Sequence, residues 1–142
     1  MLSERLIGIL TDQETVEANL AEEGLNTTDQ LETIVSILAA REIPLHYLDL
    51  SGNNITDELV KSLCDINVKH LRISINEIHN EGARFLDREC PKVTVLNLSH
   101  NFVDDEGALS LMTSNKRITL AKNSVSPEVL LKFNRLINVI PR

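Results

Sequence analysis

Aromatic residues are scarce in the sequence, which has no tryptophan, one tyrosine and three phenylalanines. Because 42% of the residues are hydrophobic all the same, we expect a core built from aliphatic side chains. Cysteines are equally few, and Cys64 and Cys90 lie too far apart in sequence to form the short motifs that bind metals or exchange electrons. We therefore expect two buried thiols in a reducing compartment and no disulfide.

Long apolar runs and a positively charged start are also missing. The first residues include Glu4 where a secretory signal has basic residues, and the apolar stretch that ends at Leu10 is short. No segment approaches the roughly 18 apolar residues that a membrane-spanning helix needs. The length of 142 residues is that of one domain. The sequence therefore predicts a cytoplasmic protein that lies outside membranes and whose single domain carries the function.

Basic residues are not in excess, since the formal net charge is −7. Residues 1–44 contain nine acidic and two basic residues, whereas residues 45–142 contain twelve of each. Proteins that bind nucleic acids or anionic membranes attract them through clustered lysine and arginine. The charge distribution therefore disfavours both classes of partner and leaves another protein as the expected one.

What the sequence has in abundance is a repeated pattern of aliphatic residues and asparagine. Four segments carry it: Leu45-x-x-Leu48-x-Leu50-x-x-Asn53-x-Ile55, Val68-x-x-Leu71-x-Ile73-x-x-Asn76-x-Ile78, Val93-x-x-Leu96-x-Leu98-x-x-Asn101-x-Val103 and Asn115-x-x-Ile118-x-Leu120-x-x-Asn123-x-Val125. Fifteen of the sixteen aliphatic positions hold an apolar residue, with Asn115 as the exception, and the asparagine position is filled all four times. The asparagines recur at intervals of 23, 25 and 22 residues, which is typical of a solenoid.

Each repeat predicts one strand followed by one helix. Residues such as Leu48 and Leu50 alternate with period two, which favours a short strand with one apolar face. The stretch that follows carries apolar residues at helical spacing, as with Leu59 and Leu63. Helix starts are predicted from the capping residues Thr56, Asn80, Asp104 and Ser126. Strands that all point one way and are each followed by a helix form a parallel sheet in a right-handed solenoid.

These segments resemble the leucine-rich-repeat family. Residues 80–83 (Asn-Glu-Gly-Ala) and 105–108 (Asp-Glu-Gly-Ala) are similar to motifs of its ribonuclease-inhibitor-like subclass, although Leu59 and Val129 stand where that subclass has glycine. The resemblance covers about residues 45–140. It implies an α/β solenoid with a short parallel sheet on the concave side and helices on the convex side. It also implies that the asparagine side chains bond to the backbone at the turns.

The two ends of the chain depart from the repeat. Residues 1–44 lack the strand pattern and are predicted to form an α-helical N-terminal cap on the array of residues 45–142. Capping signals predict one helix from Thr11 to about Glu23 and a second from about Thr27 to Ala40. At the other end, the spacing of Ile137 and Ile140 predicts a short fifth strand after the four repeats.

The side chains that point away from the core on the strands form the candidate binding site. They are Tyr47, Asp49 and Ser51 on the first strand, His70 and Arg72 on the second, Val95 and Asn97 on the third, and Arg117 and Thr119 on the fourth, with His100 and Phe102 in the turn after the third. Tyrosine and arginine are enriched at protein interfaces. We expect Asp49 to lie beside Arg72 and to neutralise part of its charge, whereas Arg117 has no acid near it. The sequence therefore predicts protein binding through the concave face.

The same residues do not favour an enzyme. The four histidines fall at four different phases of the repeat and cannot converge on one metal ion. His70 could pair with Asp49, but no nucleophile or phosphate-binding loop accompanies them, and an open sheet does not exclude water. We therefore predict a monomeric, non-enzymatic binding module with no catalytic residues, no cofactor and no metal.

Several finer readings stay open at this point. The resemblance implies a partner enzyme whose active site is covered by the concave face. Small arrays of this kind also resemble leucine-rich-repeat effectors that intracellular bacteria deliver into the host cytosol. The alternative is a structural or regulatory subunit that docks through its acidic N-terminal helices. The sequence does not identify the partner.

Overall fold

The computed structural model describes residues 1–137 as a stack of five coils, each with one strand followed by a helix. The strands are β1 (Glu17–Asn19), β2 (Leu45–Asp49), β3 (Val68–Arg72), β4 (Val95–Asn97) and β5 (Arg117–Thr119). The helices are α1 (Glu4–Thr11), α2 (Thr28–Ala39), α3 (Asp57–Val60) with a 3₁₀ turn (Lys61–Leu63), α4 (Asn80–Arg88), α5 (Asp105–Ser110) and α6 (Pro127–Ile137). The predicted α/β solenoid is confirmed.

The strands form one parallel sheet in the order β1-β2-β3-β4-β5. Its register aligns Ala18, Leu48, Leu71, Leu96 and Ile118 in one row, and this row is buried against the helices. Parallel strands lie about 4.8 Å apart, whereas packed helices need about 8–10 Å. The sheet therefore forms the concave side of the stack. Among residues 1–137, no helix combines the length and hydrophobicity required to span a membrane.

The asparagines of the repeat join each coil to the one before it. The Asn76 Oδ1 atom accepts hydrogen bonds from the backbone N–H groups of Asn53 at 3.0 Å and Ile55 at 2.8 Å. The Nδ2 group of Asn76 donates to the carbonyls of Leu50 at 3.1 Å and Ile73 at 3.2 Å. The other three asparagines make corresponding bonds. The amides thus satisfy buried backbone groups that the turn leaves without strand partners, as the family resemblance implies.

The residues that precede the four repeat asparagines, and Glu22 before the equivalent Glu23 of the first coil, have left-handed backbone geometry. These residues are Glu22, Gly52, Ile75, His100 and Lys122, with φ angles between 53° and 69°. Only one of them is the glycine that this geometry favours. The positive φ angle is least favourable at Ile75, because a β-branched side chain clashes with the backbone in this conformation.

The predicted helix over residues 11–23 is wrong, because this segment forms a turn and then strand β1. Ala18 and Leu20 point into the core with period two, and Leu20 N–H donates to the carbonyl of Asp49 at 2.8 Å. Glu23 occupies the asparagine position of this first coil, and its carboxylate contacts the Arg5 guanidinium at 2.6 Å. Residues 1–44 therefore contain a strand and are not entirely helical.

The remaining predictions for the two ends have mixed outcomes. Helix α2 starts where the sequence predicts it, with a capping box in which Thr27 and Gln30 exchange side-chain and backbone hydrogen bonds. The predicted terminal strand falls largely outside the described residues, and Ile137 itself is the last residue of α6. The boundary between cap and array at residue 44 stays a prediction.

Two buried cations, Arg41 and Lys116, bind backbone carbonyl groups. Arg41 donates to the carbonyls of Leu10 at 2.7 Å and Asp12 at 2.9 Å, and also to those of Thr15 and Ile43, which fixes the turn before β1.

Lys116 has a similar role at the interrupted fourth repeat. Its ammonium group donates to the carbonyls of Cys90 at 2.8 Å and Val93 at 2.7 Å. Burial lowers the pKa of Lys116, and the charge of Asp87 opposes this shift. Asn115 is exposed, so the aliphatic stem of Lys116 takes the buried place beside it.

The glycines of the two Gly-Ala motifs make room for a side chain of the preceding coil. Asp57 Oδ1 accepts from the His79 N–H at 2.7 Å, and Asn80 Oδ1 accepts from the Asp104 N–H at 3.0 Å. A Cβ atom on Gly82 would collide with the Asp57 carboxylate, and one on Gly107 would collide with the Asn80 amide. These motifs therefore encode close packing between coils.

We expect Asn101→Ala to lower the free energy of unfolding by about 2–4 kcal/mol, because each unpaired buried backbone group costs about 1–3 kcal/mol. Urea unfolding measures the change. The control is Asn115→Ala at the exposed asparagine, which should change stability by less than about 0.5 kcal/mol. Equal effects of the two substitutions would contradict the role assigned to the repeat amides.

We expect Gly107→Ala to destabilise the protein by about 1–2 kcal/mol, because overpacking outweighs the better helix propensity of alanine. In the Asn80→Ala background the same substitution should cost less, since the colliding amide is gone and of the closest atoms only Val103 Cγ1 remains near the new Cβ atom. Gly8→Ala in α1 is the control, where nothing lies near the new Cβ atom and a gain of about 0.5–1 kcal/mol is expected. If the stability effects of Asn80→Ala and Gly107→Ala simply add in the double variant, the collision between a Cβ atom at position 107 and the Asn80 amide is contradicted.

Candidate functional site

The outward-facing side chains of the five strands form two regular rows, which we call the strand face. The first row is Glu17, Tyr47, His70, Val95 and Arg117, and the second is Asn19, Asp49, Arg72, Asn97 and Thr119. The strands thus bring eight of the eleven sequence-predicted site residues together on one surface, whereas Ser51, His100 and Phe102 follow the strands. Glu17 and Asn19 were missed by the sequence pattern, because Ala18 stands between them where later strands have leucine or isoleucine.

The centre of the first row is an apolar strip. The rings of Tyr47 and His70 meet edge to face with their centroids 4.8 Å apart, and Val95 follows in register. Burial, and then the positive charges of His46 and Arg72, lower the pKa of His70 below its ordinary value of 6.5. The lowered pKa favours the neutral form of the His70 imidazole. Glu17 and Arg117 place opposite charges at the two ends of the strip.

Among residues 1–137, no acidic side chain forms an ion pair with the arginines of the strand face. Asp49 and Arg72 are register neighbours as expected, but they form no ion pair within 4.0 Å, so the expected pairing is wrong. Arg72 Nε donates to the Ser74 hydroxyl at 3.1 Å instead. None of the ion pairs among residues 1–137 includes Arg117. Both guanidinium groups are exposed and can meet a carboxylate from outside.

Two of the predicted contact residues are covered by the protein itself. Asp49 and Ser51 are buried, with 8% and 6% of their surface exposed. The Asp49 carboxylate accepts from the Ser51 N–H at 2.9 Å, and the Ser51 hydroxyl lies 2.8 Å from that of Ser74. These short side chains hold the ends of the strands in place. A partner would therefore contact mainly the longer side chains beside them, such as Tyr47 and Arg72.

The turns after the strands add an apolar rim, which comprises Ile75, His79, His100 and Phe102. Phe102 is half exposed and stacks on His79 of the preceding coil, with ring centroids 5.1 Å apart and planes 16° from parallel. Ile75 is 58% exposed in its left-handed conformation. A strained residue that contributes little to the core is a candidate for binding. Sequence reasoning selected His100 and Phe102 as site residues but not His79.

The cysteines differ from each other in environment. Cys90 is buried as expected, its thiol donates to the Leu63 carbonyl at 3.3 Å, and burial raises its pKa to about 11. Cys64 is exposed, so the expectation that both thiols are buried is wrong. It follows the 3₁₀ turn and therefore falls outside the helical apolar spacing. Among residues 1–137, no group of three or more His, Cys, Asp or Glu side chains has metal-binding geometry.

Comparisons with known proteins agree with this geometry. A family model described as Leucine Rich repeat matches residues 43–64, 65–86 and 89–112. The fold is similar to the tropomodulin C-terminal domain of Caenorhabditis elegans, at 12% identity and a TM-score of 0.67, with 95% of this chain and 90% of that one covered. It is also similar to actin-binding site 2 of leiomodin-1, at 14% identity and a TM-score of 0.67, with 97% and 90% covered. No curated protein sequence is significantly similar.

We expect Ile75→Gly to raise the free energy of unfolding by about 1 kcal/mol, because glycine removes the steric cost of positive φ at a β-branched residue. Ile43→Gly is the matched control, since Ile43 is 51% exposed and its φ is not positive. The control should be neutral or destabilising in urea unfolding. A loss of stability at both positions would remove the argument for strain at Ile75.

Proposed function

Because the chain is an α/β leucine-rich-repeat solenoid, we propose that it is a non-enzymatic protein-binding module that recognises its partner through the strand face. The observation that carries this proposal is the apolar strip of Tyr47, His70 and Val95, beside which lie two arginines that form no ion pair with residues 1–137. Interfaces commonly have such a layout, in which a desolvated centre supplies most of the binding energy and a polar rim surrounds it.

The sheet presents this strip at a low entropic cost. Each strand is fixed by register to its neighbours and by the buried row of Leu48, Leu71 and Leu96 beneath it. Side chains on such a support lose little freedom when a partner binds, since their backbone is already ordered. The strip would therefore act as a preformed surface.

The charges of the strand face indicate the chemistry of the partner. Arg72 and Arg117 lie on either side of Val95 and have no carboxylate within 4.0 Å in the described residues. A guanidinium group binds a carboxylate in a bidentate, charge-assisted manner. We propose that the partner presents Asp or Glu side chains to this part of the face. The apolar rim at Ile75 and Phe102 would extend the contact beyond the sheet.

A finer version of the proposal concerns the kind of partner. The ribonuclease-inhibitor-like motifs favour an enzyme whose active site is covered by the strand face. One of the similar structures is an actin-binding site of leiomodin-1, so actin belongs in the first binding assay as well. Function as a bacterial effector in a host cytosol and function as a monomer are further parts of this proposal. A cytoplasmic location would keep the exposed Cys64 reduced.

We expect combined Arg72→Glu and Arg117→Glu substitutions to weaken partner binding by about 2–4 kcal/mol without unfolding the protein. The partner would be recovered by affinity purification from a native lysate, then purified and titrated by calorimetry. Reversal of Lys61 and Arg88 on the helix side is the control with the same change in net charge. If the strand-face variant binds as tightly as this control, the strand face is not the binding surface.

The second candidate function is docking through the acidic N-terminal residues. It is favoured by the exposed carboxylates of Glu4, Asp12, Asp29 and Glu32 on or beside α1 and α2. Deleting these residues would not test it cleanly, because β1 belongs to the sheet. Substituting the four carboxylates by amides should preserve the fold, because all four residues are exposed. Loss of partner binding in that variant, with full binding by the arginine variant, would favour this candidate.

A further inference from the structure

A second surface lies on the helix side, where a groove of about 420 Å³ runs between α5 and α6. We call it the α5–α6 groove, and its lining residues are Leu109, Glu128, Val129, Leu131, Lys132, Arg135 and Leu136. Three of its leucines are unusually exposed, with 50% of Leu109, 60% of Leu131 and 43% of Leu136 accessible. Clustered exposed leucines in a groove mark a site that is covered by another molecule.

Repeat geometry alone does not produce this apolar lining. The corresponding groove between α3 and α4 has a volume of about 230 Å³. Six of its seven lining residues are charged, namely Asp57, Lys61, Glu81, Arg84, Arg88 and Glu89, and the seventh is Phe85. Equivalent positions of the solenoid thus carry a solvated surface in one place and leucines in another. The difference lies in the side chains and not in the coil shape.

The charges around the α5–α6 groove favour an acidic occupant. Lys132 and Arg135 lie beside the leucines on α6, and Glu128 is the single acid in the lining. Neither cation belongs to an ion pair among residues 1–137. A symmetrical pairing of two copies through this groove would bring together four cations and only two acids, because each lining holds Lys132, Arg135 and Glu128. Charge complementarity therefore favours a different protein.

We propose that the α5–α6 groove binds an amphipathic helix of a partner protein, with Leu109, Leu131 and Leu136 covering its apolar face and with Lys132 and Arg135 pairing with its acidic residues. A helix that lies in a groove between two helices buries residues at i, i+3, i+4 and i+7. Such a site is separate from the strand face, because the two surfaces lie on opposite sides of the core. The protein could therefore hold two partners at once.

The test uses two fluorescent helical peptides of about 16 residues, since shorter ones are marginally helical in water. Both carry leucines at i, i+3, i+4 and i+7, and the flanking positions are glutamate in one and lysine in the other. Binding to the full chain is measured by fluorescence anisotropy. We expect the glutamate peptide to bind at least about tenfold more tightly than the lysine peptide, which is the effect of roughly one charge-assisted contact.

Variants locate the binding. Combined Leu131→Asp and Leu136→Asp substitutions should weaken binding of the glutamate peptide by at least about tenfold, because two leucines that the peptide would cover are lost. Combined Lys132→Glu and Arg135→Glu substitutions should make the protein bind the lysine peptide more tightly than the glutamate peptide. The three leucines of the groove are unchanged in this variant. Circular dichroism would verify that both variants are folded. The Arg72→Glu and Arg117→Glu variant, together with Ile75→Asp, should bind as the parent does.

Other results would overturn the proposal. These are equal affinity for the two peptides, no binding at about 1 mM peptide, or a groove variant that binds like the parent. Self-association in sedimentation experiments that Leu131→Asp abolishes would identify a second copy as the occupant. Peptide binding that occurs only after removal of residues 138–142 would identify the end of the chain itself. The strand-face variant is only a control in this experiment. A negative result for the groove would therefore leave the proposed function of the strand face unaffected, and a negative result for the strand face would leave the groove proposal unaffected.

Discussion

The hydrogen bonds of the repeat asparagines are the constraint on which the rest of the structure depends. Each amide ties its own turn to the turn of the preceding coil through hydrogen bonds to backbone groups of both. This contact fixes the spacing and the rotation between coils, and so it fixes the register of the strands. The side chains of the strand face stay in register along its two rows because every coil repeats the same turn. A binding surface of this type is thus a product of turn chemistry as much as of sheet formation.

Much of the fold could be predicted from the sequence, because the physical causes of the coil are local and repeated. Leucine alternation predicts the strands, capping residues predict the helices and asparagine marks the turns. The first coil escaped detection because three of its signals are altered at once: Ala18 replaces a large aliphatic residue, Glu23 replaces asparagine, and Arg41 supplies contacts from a distant helix end. The burial of Lys116 beside an exposed Asn115 is equally non-local, since it depends on carbonyl groups contributed by the previous coil.

The candidate site was predictable in its placement but not in its detail. Because side chains alternate along a strand, the position of a residue in the strand pattern determines whether it faces outward. The outward-facing residues assigned in this way agree with the observed register from Tyr47 to Arg117. Phase does not determine which of these side chains find partners within the protein. Arg72 bonds to Ser74 and not to Asp49, and the ring of His79 lies under Phe102. Such choices between nearby partners depend on rotamers, for which a single sequence carries little signal.

The hydrogen bonds between coils also give the solenoid a direction. Each asparagine oxygen serves the N–H groups of the coil before it, and Glu23, at the equivalent place in the first described coil, contacts Arg5 instead. For protein engineering this means that the two ends are not interchangeable as points of extension. A repeat grafted after α6 must bring its own asparagine. A repeat grafted ahead of β1 would require Glu23→Asn, because an asparagine at this position is needed to bond to the turn of the added repeat.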